Sequence, residues 1–227
     1  MGRKIEATQK HRKQSQFKEV LFLIRKELNS LKIPFVLFGG TCLGLIRYGG
    51  IAITGQIRNG EMGTDSDVDI VVLEEHINRH GDIVKALEKH GYHLHEDDWK
   101  SIDPPPIVPL KELPPIYSKM IHMRKKGYLH IDVLYLFKHE NLRWHVWTNE
   151  IYGLAAYPAE WFEKPLEIEY CGAKFYLPKS PEEFLADEYG DWKNPRPSGA
   201  LSNMEKKSLW RARKIDLFEA VKKCLKS

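Results

Sequence analysis

Three aspartates, Asp65, Asp67 and Asp69, sit in the run GTDSDVDIVVL, downstream of the stretch FGGTCLGLIRYGG. Carboxylates at this spacing suit Mg²⁺ or Mn²⁺, hard cations that prefer oxygen ligands. Val68, Ile70, Val71, Val72 and Leu73 read as a buried strand. Alternate residues of a strand share a face, so Asp67 and Asp69 point the same way, with Cα atoms roughly 6.5 Å apart. Gly39, Gly40 and Thr41 leave a short apolar strand and open a helix. The free N–H groups and dipole of a helix start suit phosphate. A phosphate cradle beside a carboxylate metal site points to phosphoryl or nucleotidyl transfer. Read alone, TDSD is a polar turn before a strand. The glycines upstream and a carboxylate downstream favour a site.

That downstream carboxylate is Asp132, in YLHIDVLYLF. An aspartate in so apolar a strand is costly unless paired or bound to a metal. It is therefore the natural third member of an Asp67/Asp69 site; pairing with a nearby Lys or Arg is the alternative. His130 shares its face, as a base or substrate contact, or more simply as an ordinary surface or core histidine. Arg47, near the end of the first Gly-Gly helix, either contacts a phosphate or complements the helix dipole. Arg58 lies in TGQIRNGEMG, which reads as a flexible loop over the site from Thr54 to Gly63.

The positioning elements follow from periodicity. Residues 1–14 are basic and unpatterned, as in a frayed terminus. A core of residues 15–178 begins with Phe17, Val20, Leu21, Ile24, Leu28 and Leu31 at helical spacing. Pro34 stops that helix, Phe35–Phe38 forms a strand, and Thr41 caps the next helix. After the Asp67–Leu73 strand come a helix near Ile77–Lys89, stopped at Gly91, and an extended piece at Tyr92–His95. Asp103–Pro115 is a proline-rich loop. Tyr117–Arg124 and Tyr128–Phe137 flank a Lys-Lys-Gly turn as a hairpin. Trp144, Trp147, Tyr152, Tyr157 and Trp161 pack a core or form an aromatic cage for a quaternary ammonium group. A second hairpin turns at Cys171-Gly172. Residues 179–227 form a helical part, with helices from Pro181 to Gly190 and over Met204–Leu225. The fold class is α+β: a mixed β-sheet with packed helices and a C-terminal helical part.

With 227 residues and 42% hydrophobic content, the chain can bury a real core. A net charge of +4 fits anionic substrates but is too small to imply nucleic acid. Three separated cysteines give no disulfide framework or zinc ribbon. No apolar run spans a bilayer and no secretory signal is visible, so a cytoplasmic location is expected; a lumenal Golgi or ER domain would read the same.

Together GGTCLGLIRYGG, DSDVDIVV, HIDVLYLF and LPKSPEEFLADEYGDWKNPRP resemble the LicD family, which includes the fukutin-related proteins. The resemblance spans roughly Phe35 to Pro197 and implies a nucleotidyltransferase-like fold. It implies a phosphotransferase that moves phosphocholine, or another phospho-alcohol or phospho-sugar, from a nucleotide-linked donor, CDP-linked above all. The acceptor would be a hydroxyl of a glycan such as a cell-surface polysaccharide, with Mg²⁺ or Mn²⁺ as cofactor. Asp67 and Asp69 match the family's metal pair, and Asp132 the third strand carboxylate of the wider superfamily. Gly39, Gly40 and Thr41 match the phosphate-facing turn, and Arg47 the Arg after the first helix. Tyr189, Gly190, Asp191 and Trp192 match a C-terminal motif. The inserted Thr54–Gly63 and the interrupting Ser66 depart from the family pattern. Two other readings use the same residues: a nucleotidyltransferase acting from a nucleoside triphosphate, and a binding module without catalysis.

Overall fold

The computed structural model describes residues 2–58, 61–95, 120–146 and 154–194. Its first helix, α1 (Gly2–Ser30), buries Phe17, Val20, Leu21, Ile24 and Leu28, the stripe expected from their spacing. The helix starts upstream of the expected boundary at Ser15. Side-chain bonds from Lys13, Gln14 and Gln16 to residues far along the chain hold this basic stretch, which carries no apolar pattern of its own. Strand β1 (Val36–Leu37) follows, then α2 (Gly39–Tyr48), which ends on Gly49 in the left-handed conformation, φ 63°.

Of residues 54–63, expected as a flexible loop, 54–58 and 61–63 lie in the antiparallel pair of β2 (Ile53–Arg58) and β3 (Glu61–Thr64). Strand β4 (Asp67–Leu73) matches its expected bounds. A 3-10 turn (Glu74–Arg79), α3 (His80–Glu88) and β5 (His93–Leu94) lead to β6 (Met120–Arg124) and β7 (His130–His139). Then come β8 (Leu142–Val146), β9 (Leu154–Pro158), α4 (Glu160–Glu163), and the hairpin β10 (Leu166–Tyr170) and β11 (Ala173–Leu177). Helix α5 (Pro181–Tyr189) opens with proline and two glutamates in its first turn. The expected loop at Asp103–Pro115 and helix at Met204–Leu225 lie outside the described residues.

The sheet runs β1-β4-β7-β6-β5, with β8 pairing both β7 and β9. Strands β4 and β7 are parallel neighbours and the other pairings are antiparallel, so the fold is α+β with a mixed sheet and packed helices. Val68, Ile70, Val71, Val72, Ile131 and Val133 are buried in the two central strands. Parallel pairs sit inside a fold because their crossovers cover the sheet.

Of the expected aromatics, those in the described residues pack into the core. Trp144, Tyr157 and Trp161 are buried, and the Tyr157 ring lies 5.8 Å from Phe38 and 5.6 Å from Phe184. Rings committed to core contacts cannot enclose a choline group; Trp147 and Tyr152 lie outside the described residues. Arg143, 1% exposed, bonds Glu75 at 2.7 Å and Glu163 at 2.9 Å, so its buried charge is paired.

Helix α2 packs closely on the segment that follows it. A Cβ on Gly44 would lie 2.3 Å from the Gly50 carbonyl oxygen and 2.5 Å from the Ala52 nitrogen. Both are backbone atoms and cannot rotate away. Gly44→Ala is expected to cost about 1–3 kcal/mol, seen as a lower midpoint in urea unfolding.

Candidate active site

The carboxylates gather where β4 begins. Oxygen atoms of Asp65, Asp67 and Asp69 lie within 4.8 Å of one another. Asp65, which precedes the strand, is thus a full member of the group. Asp132 stands beside it on β7, in register with Asp69, and His130 is in register with Asp67. Its carboxylate is engaged sideways: His122 Nδ1 lies 2.8 Å from Asp132 Oδ1. The pattern of β6 and β7 hides this partner, because only strand register reveals that His122 faces Asp132. His95 extends the row, its N–H donating to the His122 carbonyl at 2.8 Å. Asp69, Asp132 and His122 therefore sit at paired positions on three neighbouring strands, with His95 just past the end of β5, while Ile121, Met123, Ile131 and Val133 are buried.

The Gly-Gly turn serves this cluster differently from expectation. The Gly40 N–H donates to Asp69 Oδ2 at 3.0 Å, so the protein's own carboxylate occupies the start of α2. Thr41 is not the cap, because the helix already begins at Gly39 and the capping position falls on Phe38. The Thr41 hydroxyl instead accepts the Asp69 N–H at 2.8 Å, fixing the strand to the helix. Gly39 has φ 48°, and a Cβ there would lie 2.9 Å from Asp69 Oδ2. The two glycines thus let α2 approach the aspartates, and the helix dipole supports a negative charge on Asp69.

Arg47 lies in the last turn of α2, the end opposite the glycines. Its Nη1 donates to Tyr48 at 3.2 Å and its guanidinium stacks on that ring, which favours the dipole-complementing reading. Asp191 accepts two bonds from Asn194, at 3.1 and 2.9 Å, and closes a turn after α5. Tyr189, from the same motif, lies nearer the acids. Burial, followed by the charges of Glu188, Asp69 and Asp65, pushes its phenol well above the ordinary value. Arg58 is the last residue of β2, in the hairpin.

Crowding sets the electrostatics. Burial, then the charge and hydrogen bond of Asp65 and the charge of Asp132, pushes Asp67 up to about 8. Burial and the charges of Asp67, Asp132 and Asp65 also raise Asp69 well above the usual carboxylate range, against the opposing Gly40 N–H. Burial also raises Asp65, opposed by its bonds to Asp67 and Ser66 and by the Lys13 charge. Burial, and then the Arg124 charge, lowers His130. Carboxylates this close hold protons at neutral pH unless a cation replaces them. An all-oxygen donor set of this size fits Mg²⁺ or Mn²⁺.

Scans against family models and curated proteins find no match, so the LicD resemblance gains no support there. Solved structures give distant likenesses. The lincosamide antibiotic adenylyltransferase LnuA, with lincomycin bound, is 15% identical over 83% of this chain and 95% of that one, TM-score 0.45. ANT(2″)-Ia in complex with adenylyl-2″-tobramycin is 12% identical over 92% and 98%, TM-score 0.39. A solution structure of the antibiotic-resistance factor ANT(2″)-Ia is 14% identical over 90% and 94%, TM-score 0.39. Likenesses this remote leave the chemistry to be read from the site itself. Among the described residues, no helix is long and apolar enough to cross a membrane.

Proposed function

We propose that this chain is a metal-dependent nucleotidyltransferase that joins a nucleoside monophosphate to a hydroxyl of a small acceptor. The observation that carries the reading is the Asp65, Asp67 and Asp69 group held against the start of α2. Its three aspartates would hold the ion or ions, which supply charge neutralisation on the donor phosphates. The acceptor hydroxyl attacks the α-phosphorus of a nucleoside triphosphate. A new O–P bond forms, the bond to the β-phosphate bridging oxygen breaks, and pyrophosphate leaves. The hydroxyl proton passes to Asp132, which His122 orients from the next strand. Against a phosphocholine donor, three of the rings expected for a choline cage, Trp144, Tyr157 and Trp161, are packed in the core. A CDP-linked donor and a glycan acceptor remain the competing pair, since they would use the same carboxylates.

A thermal-shift panel with Mn²⁺ separates these readings. Its ligands are the four nucleoside triphosphates, CDP-choline, CDP-ribitol and CDP-glycerol. A triphosphate at 100 times its Kd should stabilise the fold by about 2.7 kcal/mol, only with the metal present. Selective stabilisation by a CDP-linked alcohol would replace nucleotidyl transfer with phospho-alcohol transfer. Metal-dependent binding without turnover of any acceptor would leave a binding module.

A further inference from the structure

From the N-terminal helix, the Lys13 side chain reaches the acidic group. Lys13 Nζ donates to the Asp65 carbonyl at 3.1 Å. The same turn of α1 grips the surroundings of the site. Gln14 Oε1 accepts the Ile51 N–H at 3.0 Å, and Gln16 Nε2 donates to the Gly127 carbonyl at 2.8 Å. These contacts fix the connection into β2 and the turn between β6 and β7. Lys13 lies on the buried stripe of α1, three and four residues before Gln16 and Phe17, where an apolar side chain is the usual occupant. The fold instead places a half-buried ammonium there, beside Asp65 and Asp67.

We propose that Lys13 is a donor-binding residue whose ammonium holds the polyphosphate of the nucleotide at the aspartate group. This rests on the nucleotidyltransferase reading above. An ammonium is a compact point charge with three donors, so it can keep the Asp65 carbonyl and contact a phosphate oxygen together. A charge placed only to neutralise carboxylates would act differently. It would compete with the metal, and removing it would tighten metal binding without touching phosphate affinity once the metal is saturating.

Titration calorimetry at saturating Mg²⁺, using inorganic tripolyphosphate and each nucleoside triphosphate as probes, tests this directly. Lys13→Met should weaken the base-free probe and the preferred nucleotide alike, by about tenfold. Lys13→Arg should keep most of the affinity, and Mg²⁺ alone should bind Lys13→Met at least as tightly as wild type. Gln16→Ala reports the cost of loosening α1 without touching the charge. Phosphate affinity unchanged in Lys13→Met, or lowered equally in Gln16→Ala, overturns the assignment. Asp67→Asn stands as the separate check on the metal site. Wild-type affinity in that variant would defeat the underlying reading while leaving the Lys13 result interpretable, and no binding by wild type would defeat both.

Discussion

Asp69→Asn is expected to lower metal-dependent turnover by about 1,000-fold while leaving the metal-free protein as stable as wild type, or more so. Asparagine keeps the size of the side chain and an oxygen for the Gly40 N–H, now 3.0 Å from Asp69 Oδ2. It removes one charge from a group in which Asp65, Asp67 and Asp69 already repel one another. The sign follows from linkage. A carboxyl raised in the folded state binds more protons folded than unfolded, so its contribution to stability is full below pH about 4 and is lost as pH rises toward the folded value. For Asp67, raised to about 8, the loss spans pH about 4 to 8. Metal-free wild type should therefore melt progressively lower across that window. Asp69→Asn should flatten the fall, and Mn²⁺ should restore wild type but not the variant. Steady-state turnover and melting curves at pH 5 and 8 check both halves. Near-wild-type turnover would remove Asp69 from the chemistry.

Much of this site was legible because its local signals agree. Asp67 and Asp69 alternate on an apolar strand, and that strand has the expected bounds. The glycines at 39 and 40 were visible as a helix start, but their purpose was not. Sequence shows that the first N–H groups are free of intrahelical partners, not which anion meets them. Here the anion is Asp69, 29 residues away. The His122–Asp132 contact depends on the register of two strands, which alternation alone cannot set. Lys13 was hidden for a related reason. A basic stretch with no apolar period reads as a tail, and only packing turns one face of it toward Asp65. The aromatic run was ambiguous by composition, since cages and cores use the same rings, and for Tyr157 the contacts with Phe38 and Phe184 decide for the core.

Gly40→Ala should separate catalysis from folding in the opposite way to Gly44→Ala. A Cβ on Gly40 would lie 2.2 Å from Asp65 Oδ2 and 3.3 Å from Asp69 Oδ2. The closest obstacle is the end of a side chain, so Asp65 can swing aside while the backbone stays in place. Alanine is also the better helix residue, by about 0.8–1.0 kcal/mol in a helix interior. Stability should then stay close to wild type, helped by relief of charge crowding. Metal affinity should drop, because one of three converging carboxylates has left, and turnover should fall by about 100-fold. On Gly44 the obstacles are the Gly50 and Ala52 backbone atoms, so the same methyl group acts on the fold instead. Two glycines four positions apart on α2 thus predict opposite phenotypes: a folded, poorly active protein from one, and an unstable protein from the other. Urea unfolding paired with metal-dependent turnover distinguishes them. A Gly40→Ala protein with full activity would show that Asp65 is dispensable, leaving Asp67, Asp69 and Asp132 as the working set.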